Sequence, residues 1–147
     1  MAQIKLTDIA RVQSMERFKQ PILFDGLTCN RIYPTDIDAV MEYHDWFFMF
    51  MEVKVDGVEL NRGQTTALVR MVNAIRDSGK TAVLFICRHN VDKDKSIFLK
   101  DTVVSEAYYE GGWYDLTPRT MQEIWDYAMD WAQRKEQNSN DSVYPFN

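Results

Sequence analysis

The fold of this chain is decided by residues 36–54, Asp36-Ile-Asp-Ala-Val-Met-Glu-Tyr-His-Asp-Trp-Phe-Phe-Met-Phe-Met-Glu-Val-Lys54. This stretch divides into two runs typical of β-strands, residues 37–43 and 46–54, joined by a tight connection around residues 44–45. The second run is apolar at every position from Trp46 to Met51. A strand that is apolar on both faces is usually covered on both faces, so the stretch predicts the interior of a sheet with helices packed against it.

The residues that follow predict a parallel crossover. An amphipathic helix pattern begins after Asn61, which is a good N-cap, and ends at Gly79. Residues 81–87 are then uninterruptedly apolar apart from Thr81, over the length of one strand. Because a strand, a helix and a strand follow one another, we expect residues 81–87 to pair parallel to residues 46–54.

Three further elements are predicted on either side of this unit. They are a helix over residues 6–19, an antiparallel hairpin of residues 97–110 and 113–116 joined at Gly111-Gly112, and a last helix from Thr117-Pro118 to about Lys135. Pro118 is placed in the first turn of the last helix, where a missing backbone N–H is tolerated.

The predicted fold class is therefore α/β, a mixed central sheet flanked by helices. The order of elements is α-β-β-α-β, followed by the C-terminal hairpin and helix. A chain of 147 residues fits one domain. We expect that single domain to span residues 1–147, with a core at about 7–116, a C-terminal helix at 118–135 and a loose polar tail at 136–147.

Composition limits the classes of function. The net charge of −5 argues against a non-specific nucleic-acid binder, which usually has a basic surplus, but not against a nuclease whose acids hold a cation. Cys29 and Cys87 have no metal-site or disulfide spacing, which predicts two free thiols in a reducing compartment. With no apolar run long enough to cross a bilayer and no signal segment, we expect a cytoplasmic protein without a membrane partner.

Three charged residues of the opening stretch are placed for chemistry. Glu52 and Lys54 are two apart on one strand, so both side chains leave the same face of the sheet. Asp38 lies on the neighbouring strand. Two such carboxylates can share one Mg²⁺, which lowers the pKa of a bound water, while Lys54 orients that water and stabilises charge in the transition state.

The site requires a particular turn. Residues that face each other across a two-residue hairpin turn have numbers of odd sum, whereas 38 and 52 sum to an even number. Asp38 can therefore face Glu52 only if the connection near His44-Asp45 has an odd number of residues or a bulge intervenes. With a plain two-residue turn, Asp38 would point to the opposite face.

With these residues in place, the chain resembles the PD-(D/E)XK nuclease superfamily. The matching pieces are Pro34-Thr-Asp-Ile-Asp38-Ala-Val, Phe50-Met-Glu52-Val-Lys54 and Gly63-Gln64-x-x-Ala67-Leu68, and the likeness covers roughly residues 7–88. It is similar in particular to small phage or prophage endonucleases and to resolvases. The resemblance implies a restriction-endonuclease-like core and Mg²⁺- or Mn²⁺-dependent hydrolysis of DNA, duplex or branched.

The resemblance also implies roles for individual residues. Asp38 and Glu52 would be metal ligands together with the main-chain carbonyl of Val53, and Lys54 would position the water. Gln64 would lie beside the site. Asp36 shares a face with Asp38, so either acid of Asp-Ile-Asp can be the ligand, and Asp38 is favoured because its spacing to Glu52 is the commoner one in the family and Ala-Val follows it. Glu16 on the first predicted helix is a further candidate acid. Cutting both strands with one such site per chain would require a homodimer.

Two other functions compete with a nuclease. The first is a catalytically silent relative that binds a protein or nucleic acid, for instance as a phage counter-defence or regulatory factor. The second is an interaction module built on the aromatic hairpin residues Tyr108, Tyr109 and Trp113, although aromatic residues in a hairpin more often pack in the core or on an edge strand.

Overall fold

The computed structural model describes residues 20–60 and 65–138. The helix predicted over residues 6–19 lies outside these ranges, as do Asn61 and the tail after residue 138. The chain forms two compact units, Met1–Thr35 and Asp36–Asn147. In the described part of the first unit, residues 20–35, there is a turn at Asp25-Gly26 and an isolated antiparallel bridge between Cys29 and Ile32.

The second unit is built on a mixed five-stranded sheet. The strands follow chain order across the sheet: β1 (Ala39–Tyr43), β2 (Phe47–Val55), β3 (Thr81–His89), β4 (Val103–Tyr109) and β5 (Gly112–Thr120). The β2 and β3 pair is parallel, as predicted from the crossover, and the other neighbouring pairs are antiparallel. Over residues 36–60 and 65–138 the unit also contains two helices, α1 (Thr66–Asp77) and α2 (Met121–Gln137), and one 3-10 turn (Leu99–Asp101). The α/β class with a mixed sheet is confirmed.

The sheet carries a core on each face, as the two-sided apolar pattern of β2 predicted. Met49 and Phe85 are fully buried in a cluster with Trp131 of α2. The alternate residues, Phe50 on β2 among them, form the second cluster, into which α1 inserts Leu68. Because side chains alternate along a strand, one apolar run fills both cores. No helix within the described ranges is long and apolar enough to cross a membrane.

The connection between β1 and β2 has three residues. Tyr43 pairs with Phe47, which leaves residues 44–46 in the turn, and Trp46 donates its N–H to the Tyr43 carbonyl at 3.1 Å. His44 and Asp45 adopt positive φ angles of 46° and 65°. The odd number of turn residues meets the condition on which Asp38 could face Glu52.

Glu136 of α2 fixes this turn from the side. Its carboxylate accepts hydrogen bonds from the Tyr43 hydroxyl and the Trp46 ring N–H, both at 2.9 Å, and lies 2.7 Å from the Nδ1 atom of His44. These hydrogen bonds, first that of Trp46, lower the pKa of Glu136 below its ordinary value. Helix α2 continues to Gln137, two residues beyond the predicted end at about Lys135, and so includes Glu136.

The prediction of a last helix beginning at Thr117-Pro118 was wrong. Strand β5 runs through Pro118 to Thr120, and the Thr120 hydroxyl caps α2 by accepting from the Glu123 N–H at 3.2 Å. Proline is tolerated there because β5 is an edge strand and its pairing with β4 is irregular between the pairs Val104–Arg119 and Glu106–Asp115. Its missing N–H breaks no paired ladder.

The aromatic hairpin belongs to the core. Tyr108 and Tyr109 are buried, at 7% and 2% exposure, and Trp113 packs against the α1-side cluster. Strand β4 begins later than the predicted residue 97, and the two-residue turn is Glu110-Gly111, with both residues at positive φ. This packing removes the basis for an interaction surface made of these three rings.

Candidate active site

The three residues singled out from the sequence meet at one end of the sheet. Asp38 directly precedes β1, and Glu52 and Lys54 lie near the end of β2. Ala39 pairs with Met51, so continuing the antiparallel register by one residue sets Asp38 opposite Glu52. The Val53 N–H donates to Asp38 Oδ2 at 2.8 Å, which anchors this carboxylate to β2.

Glu52 and Lys54 form an ion pair on the same face of β2. The distance from Lys54 Nζ to Glu52 Oε1 is 3.2 Å, and the two side chains are only 16% and 20% exposed for Glu52 and Lys54 respectively. Burial, followed by the negative charge of Asp38, raises the pKa of Glu52, and Asp36 adds a smaller effect of the same sign. Lys54 opposes these effects without cancelling them. The site therefore holds negative charge that its own lysine does not fully neutralise.

The Val53 carbonyl faces the same edge as Asp38. In a strand, the N–H and C=O of one residue point toward the same neighbouring strand. Since the Val53 N–H bonds to Asp38, the Val53 carbonyl oxygen also points to the β1 side. Of the two acids in Asp-Ile-Asp, Asp38 is the one that hydrogen-bonds to β2 and acts more strongly on Glu52.

Two predicted site residues, Gln64 and Glu16, lie outside the described residues. Within residues 20–60 and 65–138, no group of three or more His, Cys, Asp or Glu side chains is arranged to hold a metal ion. The oxygen donors that the fold does bring to one place are the carboxylates of Asp38 and Glu52 and the Val53 carbonyl, with the charge of Asp36 nearby.

A groove of about 600 Å³ opens beside these residues and is called the site groove below. Its polar lining consists of Asp38, Lys54 and His89, and its apolar walls include Val55 and Val58. A second cavity of about 340 Å³ also has His89 in its lining, together with residues 96–98 and the loop after β3. The two spaces are therefore adjacent at His89.

His89 is the residue that the sequence reasoning missed. The signal was present, because His89 lies in the polar Arg88-His-Asn group that follows the apolar run of β3. In a parallel pair the carboxyl ends of neighbouring strands lie together, so the end of β3 had to lie beside the end of β2. Val55, the last residue of β2, pairs with His89, the last residue of β3, so the two strands end side by side.

Arg88 supports the end of β2 from β3. Its guanidinium donates to the Val58 carbonyl at 2.7 Å and, through Nη2, to Glu106 at 3.0 Å. Arg88 thereby ties the loop that walls the site groove to both β3 and β4. The cation is engaged in holding protein groups in position.

Comparison with known proteins gives no relative. No family model, no curated protein and no solved structure matches the chain. Function is therefore inferred from the residues that the fold brings together.

Proposed function

We propose that this protein is a metal-dependent DNA endonuclease of the PD-(D/E)XK type, with a restriction-endonuclease-like core, that hydrolyses phosphodiester bonds in a phage-related role. The observation that carries the proposal is the register of the β1–β2 hairpin. Its three-residue turn sets Asp38 opposite Glu52 and leaves Lys54 on the same face as Glu52. A two-residue turn would have separated these groups.

The donor set suits a hard divalent cation. Mg²⁺ binds oxygen ligands, keeps several of its waters and is commonly held by one or two carboxylates. Asp38, Glu52 and the Val53 carbonyl are oxygen donors of this kind. The raised pKa of Glu52 reflects burial and the neighbouring acids, and a divalent cation would relieve that repulsion. When bound, Mg²⁺ or Mn²⁺ supplies Lewis-acid activation of a phosphoryl oxygen and of water.

The protein groups have separable tasks. Lys54 holds a positive charge near the strand end, where it stabilises the charge that develops on the phosphoryl oxygens and orients the attacking water. Glu52 keeps the Lys54 ammonium in place through the ion pair at 3.2 Å. The Val53 N–H keeps Asp38 turned toward β2. Each task follows from a contact with a neighbouring group.

One observation favours a second candidate, a silent relative that binds without cutting. The Glu52–Lys54 ion pair is mostly buried, and an acid that pairs with its own lysine is less available to a cation. The net charge of −5 makes a protein partner better suited to this candidate than a nucleic acid. This candidate binds a protein or a nucleic acid and does not turn over.

The deciding experiment is a cleavage screen. Supercoiled plasmid, a four-way junction and single-stranded DNA are incubated with the protein in Mg²⁺, in Mn²⁺ and in EDTA. We expect cleavage only with a divalent cation, and loss of at least about a hundredfold in rate for both Glu52→Ala and Lys54→Ala, since each removes a charge from the reacting centre. Lys80→Ala is the matched control.

Lys80 suits this purpose because it lies at the opposite end of the sheet. It pairs with Asp45 in the β1–β2 turn and lies eight residues before Arg88, the β3 residue opposite Lys54, a distance of about 26 Å. Cleavage by Lys54→Ala at the rate of the wild type would contradict the proposal. A wild-type protein that cuts none of the three substrates, yet is folded and binds a nucleic acid or protein, would favour the silent relative.

A further inference from the structure

We propose that His89 donates its Nε2–H to a phosphate oxygen of a nucleic-acid strand that lies in the site groove. The inference deepens the proposed function, on which it rests for the class of substrate. It adds a substrate-binding residue that the motif of Asp38, Glu52 and Lys54 does not contain.

The fold fixes His89 in position. It is the last residue of β3 and pairs with Val55, and its carbonyl accepts the Asp56 N–H at 2.7 Å. Its ring nitrogen Nδ1 is 3.1 Å from the backbone N–H of Val91. The backbone and the ring are therefore both held by hydrogen bonds.

The contact with Val91 determines the tautomer of the His89 ring. A backbone N–H can only donate, so Nδ1 must carry a lone pair to accept it. The imidazole proton must then reside on Nε2 for as long as this hydrogen bond lasts. Among the residues that the structure describes, only Val91 hydrogen-bonds to the His89 ring. The ring therefore presents an N–H donor of fixed identity.

His89 lines the site groove together with Asp38 and Lys54, and it also lines the adjacent cavity. In the parallel register of β2 and β3, Lys54 lies opposite Arg88, which directly precedes His89. The Cα atoms of Lys54 and His89 are therefore about 6 Å apart. The two side chains leave opposite faces of the sheet, and the groove passes over the strand ends where both can reach it.

The groove combines hydrogen-bonding groups with apolar walls formed by Val55, Val58 and Ile97. A nucleic-acid strand offers phosphate oxygens for the donors and sugar and base surfaces for such walls, and most protein contacts to DNA are with phosphate and sugar. The His89 Nε2–H offers a phosphate oxygen a hydrogen bond, and Lys54 in the same groove supplies a positive charge.

The experiment uses the fact that the chain has only two histidines. The second, His44, lies in the β1–β2 turn at the far end of the sheet and serves as an internal control. Long-range ¹H–¹⁵N spectra of the full chain with ¹⁵N-labelled histidine report both rings. We expect the Nε2–H tautomer for His89 in the free protein, and a shift of its Nε2 resonance on titration with hexathymidylate, with and without Mg²⁺, while His44 is unchanged.

Two further probes identify the source of the phosphate. Thymidine, which lacks a phosphate, should leave His89 unmoved, and inorganic phosphate should shift it only at concentrations far above those needed for the oligonucleotide. Equal responses to hexathymidylate and inorganic phosphate would overturn the assignment to a strand. The proposal also fails if the Nδ1–H tautomer is found, or if hexathymidylate moves neither His89 nitrogen in either buffer.

Two variants extend the test to turnover. His89→Asn can still accept the Val91 N–H but is too short to place a donor at the Nε2 position, whereas His89→Gln keeps a donor there. We expect a rise in KM of roughly tenfold for His89→Asn, because a hydrogen bond to a charged group is lost, with little change in kcat and partial recovery in His89→Gln. An unchanged KM in His89→Asn would overturn the role.

These readouts separate the two proposals. A wild-type protein that never cleaves DNA contradicts the nuclease, but the ring resonances of His89 still test whether it contacts a strand. Conversely, cleavage that depends on Lys54 while His89 responds to no oligonucleotide would leave the nuclease standing and refute the role of His89. His44→Gln, with its melting temperature measured alongside, controls for loss of a histidine as such.

Discussion

The Glu52–Lys54 ion pair gives the most quantitative prediction for the site. Two charges 3.2 Å apart interact by about 1.3 kcal/mol in water and by about 5 kcal/mol at an effective dielectric constant of about 20. The side chains are mostly buried but not sealed from solvent, so the pair lies between these limits. We expect a coupling free energy of about 2 kcal/mol between Glu52 and Lys54.

The measurement is a double-mutant cycle with Glu52→Gln, Lys54→Met and the double variant. Urea unfolding at pH 7 gives the four free energies of unfolding, and the cycle cancels the other contacts that Lys54 makes. Lys54→Met should be the least stable of the four, because it leaves Glu52 buried beside Asp38 with no cation. A coupling below about 0.5 kcal/mol would refute the reasoning, since that is the range of an exposed pair.

The same cycle has a defined pH dependence. The pKa of Glu52 is raised in the folded protein, so the folded state binds its proton more tightly and stability falls as pH rises from below the unfolded pKa through the folded pKa. Removing Lys54 raises that pKa further. The stability gap between wild type and Lys54→Met should therefore be small near pH 4 and reach its full size at neutral pH.

Three further outcomes are expected. Mg²⁺ should raise the melting temperature of the wild type, by the equivalent of about 2.7 kcal/mol at a hundred times its Kd, and should do so less in Asp38→Asn and Glu52→Gln, as read by differential scanning fluorimetry. In the native protein a thiol-specific reagent at pH 8 should modify exposed Cys29 and spare Cys87, whose pKa burial raises to about 12, whereas both should react in urea; rapid native labelling of Cys87 would contradict its burial. Phe85→Ala should lower the free energy of unfolding by about 3–5 kcal/mol in urea titrations, because Phe85 is fully buried, and a loss below 1 kcal/mol would be inconsistent with that core.

The β1–β2 turn explains why part of the site could not be read from the sequence. The sequence shows that Asp38 and Glu52 can face each other only across an odd number of turn residues. It does not show how many residues the turn contains. The three-residue turn is held by Glu136, which is 90 residues away from Trp46 along the chain and accepts the Trp46 ring N–H. A contact between residues so distant in sequence leaves no local pattern.

The end of the chain illustrates a second limit. Thr117-Pro118 has the local chemistry of a helix start, and yet Pro118 lies in β5. What decides between the two is the position of β5 at the edge of the sheet, where a missing N–H leaves no ladder bond broken. An edge exists only once the strands have been ordered, so no window of sequence around Pro118 contains this information.

The sequence by itself determined the elements whose signal is local. The two-sided apolar runs of β2 and β3 and the amphipathic helix between them required a covered parallel pair, because alternation along a strand and a 3.6-residue period along a helix fix which side chains must be buried. Tertiary structure alone decided the three-residue turn that sets Asp38 against Glu52 and the edge position of β5 that admits Pro118. Both depend on how the strands pair, and that is settled by packing between residues far apart in the chain.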